Sequence, residues 1–325
     1  MQGVLTKTAI VLGLLAVAPA LAQAETWQPT RSIKMICPFP AGGGTDLIAR
    51  LAAKGLSERL GQQVYVENRG GANGAIGVQQ LMQADPDGYT IGAISDGPMI
   101  VNPALYPNNP YQPLRDFIGV GQLIKFPSML VANAGTGIKT VADMIKAAKD
   151  KPGALNFSSG GIGNFSHMGL ELLAIQAGIK LTHVPYRGVG PAVNDAIGGH
   201  VQLAFAGLGA VRSGVESGAL KILAVAQSQR LKSAPQYPTS AEAGLPGYEF
   251  VTWFGVVAPK GTPAPIIATL VKQIHAMQDD PSVQHKLAAG GLEPLKETPE
   301  QFGARMRRDQ DRFRDVVKAA KLKPE

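Results

Sequence analysis

Ile33-Lys34-Met35-Ile36-Cys37-Pro38-Phe39-Pro40-Ala41-Gly42-Gly43-Gly44-Thr45-Asp46 is the stretch whose reading decides the fold. An apolar run precedes a proline- and glycine-rich loop, and 47–60 continues with amphipathic spacing. The order reads strand, glycine loop, helix. Three consecutive glycines leave backbone N–H groups bare, and the helix behind them adds its own unpaired N–H groups and positive dipole end. Such a loop is an anion site. No lysine stands beside it as a nucleotide-phosphate loop requires, which points to a small carboxylate and away from ATP. Thr45 is expected to cap the helix and Asp46 to complement its dipole. A carboxylate at Asp46 would repel an anion unless turned aside. The same glycines also suit a plain strand-to-helix turn.

Outward from this stretch, strand patterns recur at 32–37, 62–67, 89–94, 118–123, 128–133, 154–158, 181–185, 200–206, 221–227 and 252–258. Helical patterns fall between and after them, at 46–60, 74–84, 141–150, 166–177, 190–198, 208–217, 263–278, 281–289 and 298–320. The alternation predicts α/β layers with mostly parallel strands. Runs such as Ile222-Leu223-Ala224-Val225-Ala226 suit strands covered on both faces. Two strand–loop–helix units, starting at Ile33 and Leu155, with crossovers near 120–128 and 235–250, predict two lobes. Residues 25–125 plus 250–325 are expected to form the first and 126–249 the second, the helix-rich end returning to the first.

Two more loops have the character of ligand contacts. Ser158-Ser159-Gly160-Gly161-Ile162-Gly163-Asn164-Phe165-Ser166-His167 joins a strand to a helix with hydroxyls, an amide and bare glycine N–H groups. That surface suits a carboxylate without a formal cation. A dinucleotide fingerprint fails here, because Ser166 stands where its third glycine belongs. In Pro185-Tyr186-Arg187-Gly188-Val189-Gly190-Pro191-Ala192, Arg187 is either a bidentate carboxylate contact or a surface arginine on a turn.

The N-terminus reads as an export signal. Lys7 precedes an apolar run from Ala9 to Ala18, and Ala20-Leu21-Ala22 and Ala22-Gln23-Ala24 are small-x-small cleavage sites. Cleavage after Ala24 is expected, since the run is shorter than the ~20 residues of a spanning helix. A net charge of +7 is spread along the chain. Its densest cluster, Arg305 to Arg314, also holds Asp309 and Asp311 and reads as a solvated helix face, not a nucleic-acid stripe. Cys37 is the single cysteine, so no internal disulfide forms, and it reads as a small buried apolar residue. The histidines show no metal spacing, and neither a Gly-x-Ser-x-Gly elbow nor a Gly-Lys-Ser/Thr loop occurs. Ser159 and His167 lack a third member for nucleophilic catalysis. No enzyme activity, metal or cofactor is expected.

At these loops the chain resembles the Bug family, periplasmic solute-binding receptors of tripartite tricarboxylate transporters. The resemblance covers essentially the whole mature chain. It is carried by the 38–46 loop, Val66-Glu67-Asn68-Arg69, Asp85-Pro86-Asp87-Gly88-Tyr89-Thr90, Asn156-Phe157-Ser158-Ser159-Gly160, His183-Val184-Pro185-Tyr186-Arg187-Gly188 and Glu242-Ala243-Gly244-Leu245-Pro246-Gly247-Tyr248. It implies a two-lobed Venus-flytrap fold, a carboxylate held in the cleft by backbone amides and waters of the first two loops, and delivery to membrane permease subunits by a monomer. A sensor for a signalling receptor is the alternative, with a periplasmic enzyme behind it. On this reading the contacts are Phe39, Ala41, Gly42, Gly43, Gly44, Thr45, Asp46, Ser158, Ser159, Gly160, Gly161, Asn164, His167, Tyr186, Arg187, Gly188 and Ala206. Relatives often carry aspartate after the strand phenylalanine, whereas Ala206 follows Phe205 here. Ala206 accepts no hydrogen bond from an ammonium, so a plain or aromatic carboxylic acid is expected.

Overall fold

The computed structural model describes residues 27–322; the expected signal peptide, 1–24, lies outside the described residues. Ten strands form one curled sheet. They are β1 (Ile33–Cys37), β2 (Val64–Asn68), β3 (Thr90–Ser95), β4 (Phe117–Asn133), β5 (Asn156–Ser159), β6 (Thr182–Pro185), β7 (Leu203–Gly207), β8 (Leu220–Val225), β9 (Val251–Pro259) and β10 (Glu293–Pro294). The path runs β2-β1-β3-β9-β4-β7-β5-β6, with β8 and β10 also on β4.

The expectation of mostly parallel strands needs correction. β1, β2 and β3 are parallel to one another, as are β5, β6 and β7, but every pairing made by β4 and β9 is antiparallel. The reason is β4. The two strand patterns at 118–123 and 128–133 are one strand of 17 residues, spanning roughly 55 Å at about 3.3 Å per residue. From Phe117 to Pro127 it pairs with β9; from Ser128 onward it pairs with β7 and β8. The partner changes at Pro127, the residue without an N–H to give to a ladder. β9 brings the chain back, with Val251 opposite Pro127. Two α/β lobes therefore share one strand.

Each lobe has its own apolar core. In the first, Ile33, Met35, Ile91 and Val256 of the sheet meet Leu56 of helix Gly44–Leu60 and Leu270 and Ile274 of helix Ala264–Gln278. In the second, Met129, Val131, Ala204 and Ile222 meet Val211 of helix Leu208–Glu216. A third cluster joins the lobes through the last helix, Pro299–Ala319. Its Phe302 lies on bare backbone: a Cβ at Gly255 would sit 2.6 Å from the Phe302 ring. Further along, Phe313 packs edge-on against Phe250, and Phe250 against Phe205 of β7. This helix thus reaches both lobes, beyond the expected return to the first.

The junction has no spare room. Phe126 of β4 packs edge-on against Phe165 and Phe254, and a Cβ at Gly207 would lie 2.2 Å from its ring. Gly207→Ala is expected to force that ring aside and cost about 1–3 kcal/mol. Gly190→Ala, where nothing lies within 4 Å, is expected to be neutral or stabilising by about 0.5–1 kcal/mol in its helix. Urea unfolding of the two variants checks the contrast.

Candidate functional site

The topology directs the strand ends of both lobes, and the loops that follow them, toward the crossover. β3 ends with Ser95 opposite Phe254 and β7 ends with Gly207 opposite Ser128, so parallel strands of both lobes aim their carboxyl ends at the crossover. Ligands of open α/β sheets sit outside those ends. The second loop touches the opposite lobe there: a Cβ at Gly163 would lie 3.0 Å from Leu105, in the segment that follows β3.

Helix starts in this fold are of two kinds, with and without a side-chain cap. Helices Val141–Asp150, Pro281–Ala289 and Pro299–Ala319 begin at Thr140, Asp280 and Thr298, whose side chains accept first-turn N–H groups. Helices Gly44–Leu60, Ala75–Met82, Val189–Gly198 and Leu208–Glu216, each following a parallel strand, begin at Gly43, Gly74, Gly188 and Gly207 with no side-chain cap. No N-cap side chain accepts from their first N–H groups, and each helix adds positive dipole potential. Thr45, expected to cap, lies inside the first turn of its helix instead.

Asp46 is turned aside. Its buried carboxylate accepts from Gly42 N–H at 2.8 Å, Arg50 Nε at 3.0 Å and Asn68 Nδ2 at 2.9 Å. Burial alone raises its pKa, but the bonds from Arg50, Gly42 and Asn68 hold it below the usual carboxylate range. The acid that threatened to repel a ligand is neutralised and fastens the loop. Ala41, Gly42, Gly43 and Gly44 are exposed and Phe39 and Thr45 half-buried.

The second loop is satisfied from within. Buried Ser158 donates to Ala192 O at 2.8 Å. Gly160 N–H donates to Ser166 Oγ, Gly161 N–H to Ser159 Oγ, and Gly163 N–H to His167 Nδ1. Asn164 caps helix Phe165–Ala177 by accepting from Ser166 N–H. Ser159, fully buried, sits 2.6 Å from His183 Nε2. The two histidine rings stack 3.8 Å apart. Burial, with the charge of His167 behind it, holds the His183 pKa down at about 4.

In the third loop the Tyr186 hydroxyl donates to Asp195 at 2.5 Å, which with burial pushes its pKa up to about 12. Arg187 is exposed and Gly188 half-buried. Ala206 is fully buried opposite Met129.

Sequence reading missed one turn. Ala72 and Asn73 both have left-handed backbone, φ 48° and 47°, an uncommon state outside glycine. Asn73 Nδ2 donates to Asn102 Oδ1 at 2.8 Å, and Asn102 donates back to Asn73 O. Gly70-Gly71-Ala72-Asn73-Gly74 was the available signal. Among the described residues no group of three His, Cys, Asp or Glu side chains is placed to hold a metal ion.

A family model described as tripartite tricarboxylate transporter family receptor matches residues 48–322. Protein BugT of Bordetella pertussis (strain Tohama I) is 36% identical, over 98% of this chain and 99% of its own length. The structure of R. palustris Rpa4515 with adipate matches with a TM-score of 0.80 at 34% identity, covering 91% of this chain and 99% of that one. MatC (Rpa3494) from Rhodopseudomonas palustris, with bound malate, matches at 0.76 and 30% identity, covering 89% and 99%. The fold is that of periplasmic binding proteins, two α/β lobes with a cleft between them.

Asp46→Ala is expected to strand the Gly42 and Asn68 donors and cost about 1–3 kcal/mol at pH 7. Because the folded pKa is depressed, that contribution is present above the unfolded value and lost as pH falls through the folded one. The gap between wild type and variant therefore narrows in acid, as urea melts at pH 7 and pH 3 would record. His183 refuses a proton that the unfolded chain accepts, so its contribution to stability falls between pH 6.5 and about 4. His183→Gln is expected to flatten that part of the stability–pH curve.

Proposed function

Since this chain belongs to the tripartite tricarboxylate transporter receptor family, we propose that it captures a small carboxylate in the periplasm and hands it to membrane permease subunits. The observation that carries this reading is the set of uncapped glycine helix starts, gathered where the strands of both lobes end. Neutral amides and helix dipoles hold an anion without a permanent countercharge. The amides of Gly43, Gly44 and Thr45 grip one carboxylate. Arg187 and the amide of Gly188 meet it from the second lobe, while Ser158, Ser159 and His167 keep their loop in shape. The unit 25–125 plus 250–325 closes on 126–249 by bending of β4 and β9 at Pro127 and Val251. Ligand favours the closed state through contacts made only there.

Relatives solved with adipate and malate support a dicarboxylate. Ala206 offers no acceptor, so an amino group on the ligand finds no partner at that position and loses affinity. A few charged contacts of roughly 1.5–3 kcal/mol each reach micromolar binding, about −8 kcal/mol, after the cost of association.

Calorimetry with adipate, malate, succinate and aspartate tests this. The first three are expected to span the micromolar range, with aspartate at least tenfold weaker than succinate. Gly44→Asp places a carboxylate at the helix start, where no atom lies within 4 Å of its Cβ and the dipole tolerates it. It is expected to keep the melting temperature and lose at least tenfold in affinity. Unchanged binding in that variant would overturn the first-loop grip, and tighter aspartate would overturn the role of Ala206.

A further inference from the structure

The crossover strands have a second face. Along β4, Phe126 points to the junction, against Phe165 and Gly207. The preceding residue, Lys125, is opposite Trp253 of β9, and both point the other way. Behind the strands lies a cavity of about 520 Å³ that these two side chains help to line. Its walls come from both lobes: Gln122 from β4, Gln227 from the segment after β8, and Arg305, Arg308 and Arg312 from the last helix. The charged run of 305–314 is therefore not only a solvated face, because part of it lines this chamber.

The chamber holds unmet polar groups. Gln227 is 3% exposed, and neither its Nε2 nor its Oε1 has a partner. Gln122 is 1% exposed; its Nε2 donates to Ile124 O, which fixes the amide orientation and leaves Oε1 unpaired. Arg312 Nε is likewise buried without a partner. Buried polar atoms of this kind destabilise a fold unless something meets them. The charges are uneven too. Lys125 is matched by Glu293 and Arg305 by Glu297, each at 2.6 Å. Arg308 has no ion pair among the described residues, while Asp309 and Glu249 also border the space.

We propose that this cavity is a second binding site, for a small hydroxylated carboxylate. Its carboxylate meets Arg308 and Arg312, its hydroxyl donates its one hydrogen to the Gln122 amide oxygen, and the hydroxyl oxygen accepts from the Gln227 amide. The Gln122 acceptor decides the class: a fully ionised, non-hydroxylated anion has no hydrogen to give it, and a neutral sugar leaves Arg308 unmatched. Because both lobes wall the chamber on the side away from the cleft, closing one reshapes the other. Occupancy behind the strands and capture in the cleft are then linked, each altering the other's affinity by the same factor; this last step rests on the closure proposed above.

The test counts sites with malate as the probe, by calorimetry on the full mature chain. Wild type is expected to bind two malates, Gly44→Asp one, Gln227→Leu one and the double variant none. Arg308→Ala, at an exposed position, is expected to weaken the second site at least tenfold and leave the first. Gln227→Leu is expected to raise the melting temperature without ligand, since it removes the unmet amide, so lost binding there is not lost folding. Succinate is expected to bind only in the cleft. The proposal is overturned if Gln227→Leu and Arg308→Ala leave stoichiometry and affinity unchanged, or if the Gly44→Asp variant binds succinate as well as malate. Failure of the cleft reading looks different: Gly44→Asp then changes nothing, while Gln227→Leu still removes one malate.

Discussion

The structure depends on one antiparallel pairing, β4 with β9, and on the exchange of partners that β4 makes at Pro127. A strand shared by two lobes ties their sheets together through backbone hydrogen bonds, and the ladder partner changes along one line across it. Proline at the exchange is consistent with that line, because the ladder loses a donor there in any case. Everything placed near the junction follows. The parallel strands of each lobe run toward it, so the loops that leave their carboxyl ends are directed to the junction. The opposite face of the same two strands becomes the wall of a polar chamber.

The chemistry at the junction is mostly that of the peptide bond. Four helices that follow parallel strands start on uncapped glycine, whereas Asn164 caps helix Phe165–Ala177 and three other helices carry Thr or Asp caps. A side-chain cap satisfies a helix terminus at the expense of its use for binding. Leaving it off sacrifices local stability, roughly 1 kcal/mol per cap, in exchange for donors that do not titrate. Asp46 shows how the remaining conflict is resolved. Held by Gly42, Arg50 and Asn68, its charge serves to shape the loop. The second loop is built on the opposite plan, with Ser158, Ser159, Ser166 and His183 consuming its donors and acceptors. One lobe thus presents amides on a pinned loop, and the other presents a rigid surface.

Much of this was legible in the residues. The strand–loop–helix reading of 33–60 is sound because apolar periodicity and glycine both act locally. The helices at 141–150 and 281–289 are bounded where their caps and flanking glycine or lysine positions put them. What local pattern misjudged were features set by distant partners. Phe126-Pro127 looked like a break between two strands, because proline is read against a single ladder and β4 changes ladders there. The partner of Ser159 is His183, which comes from β6, the strand alongside, and no local spacing in the sequence marks that pair. Arg305 to Arg314 has the charge pattern of a solvated face, and only the packing of the last helix across both lobes puts part of it against the chamber.

By itself the sequence determined the local elements, the glycine-opened helix starts and the membership of an exported receptor family. These rest on backbone freedom and side-chain periodicity, which act over a few residues. Only the tertiary structure decided which donors stay free, where Asp46 turns its charge, and which polar side chains line a chamber behind the hinge. Those outcomes depend on strand register and lobe packing, and therefore on contacts between residues far apart in the chain.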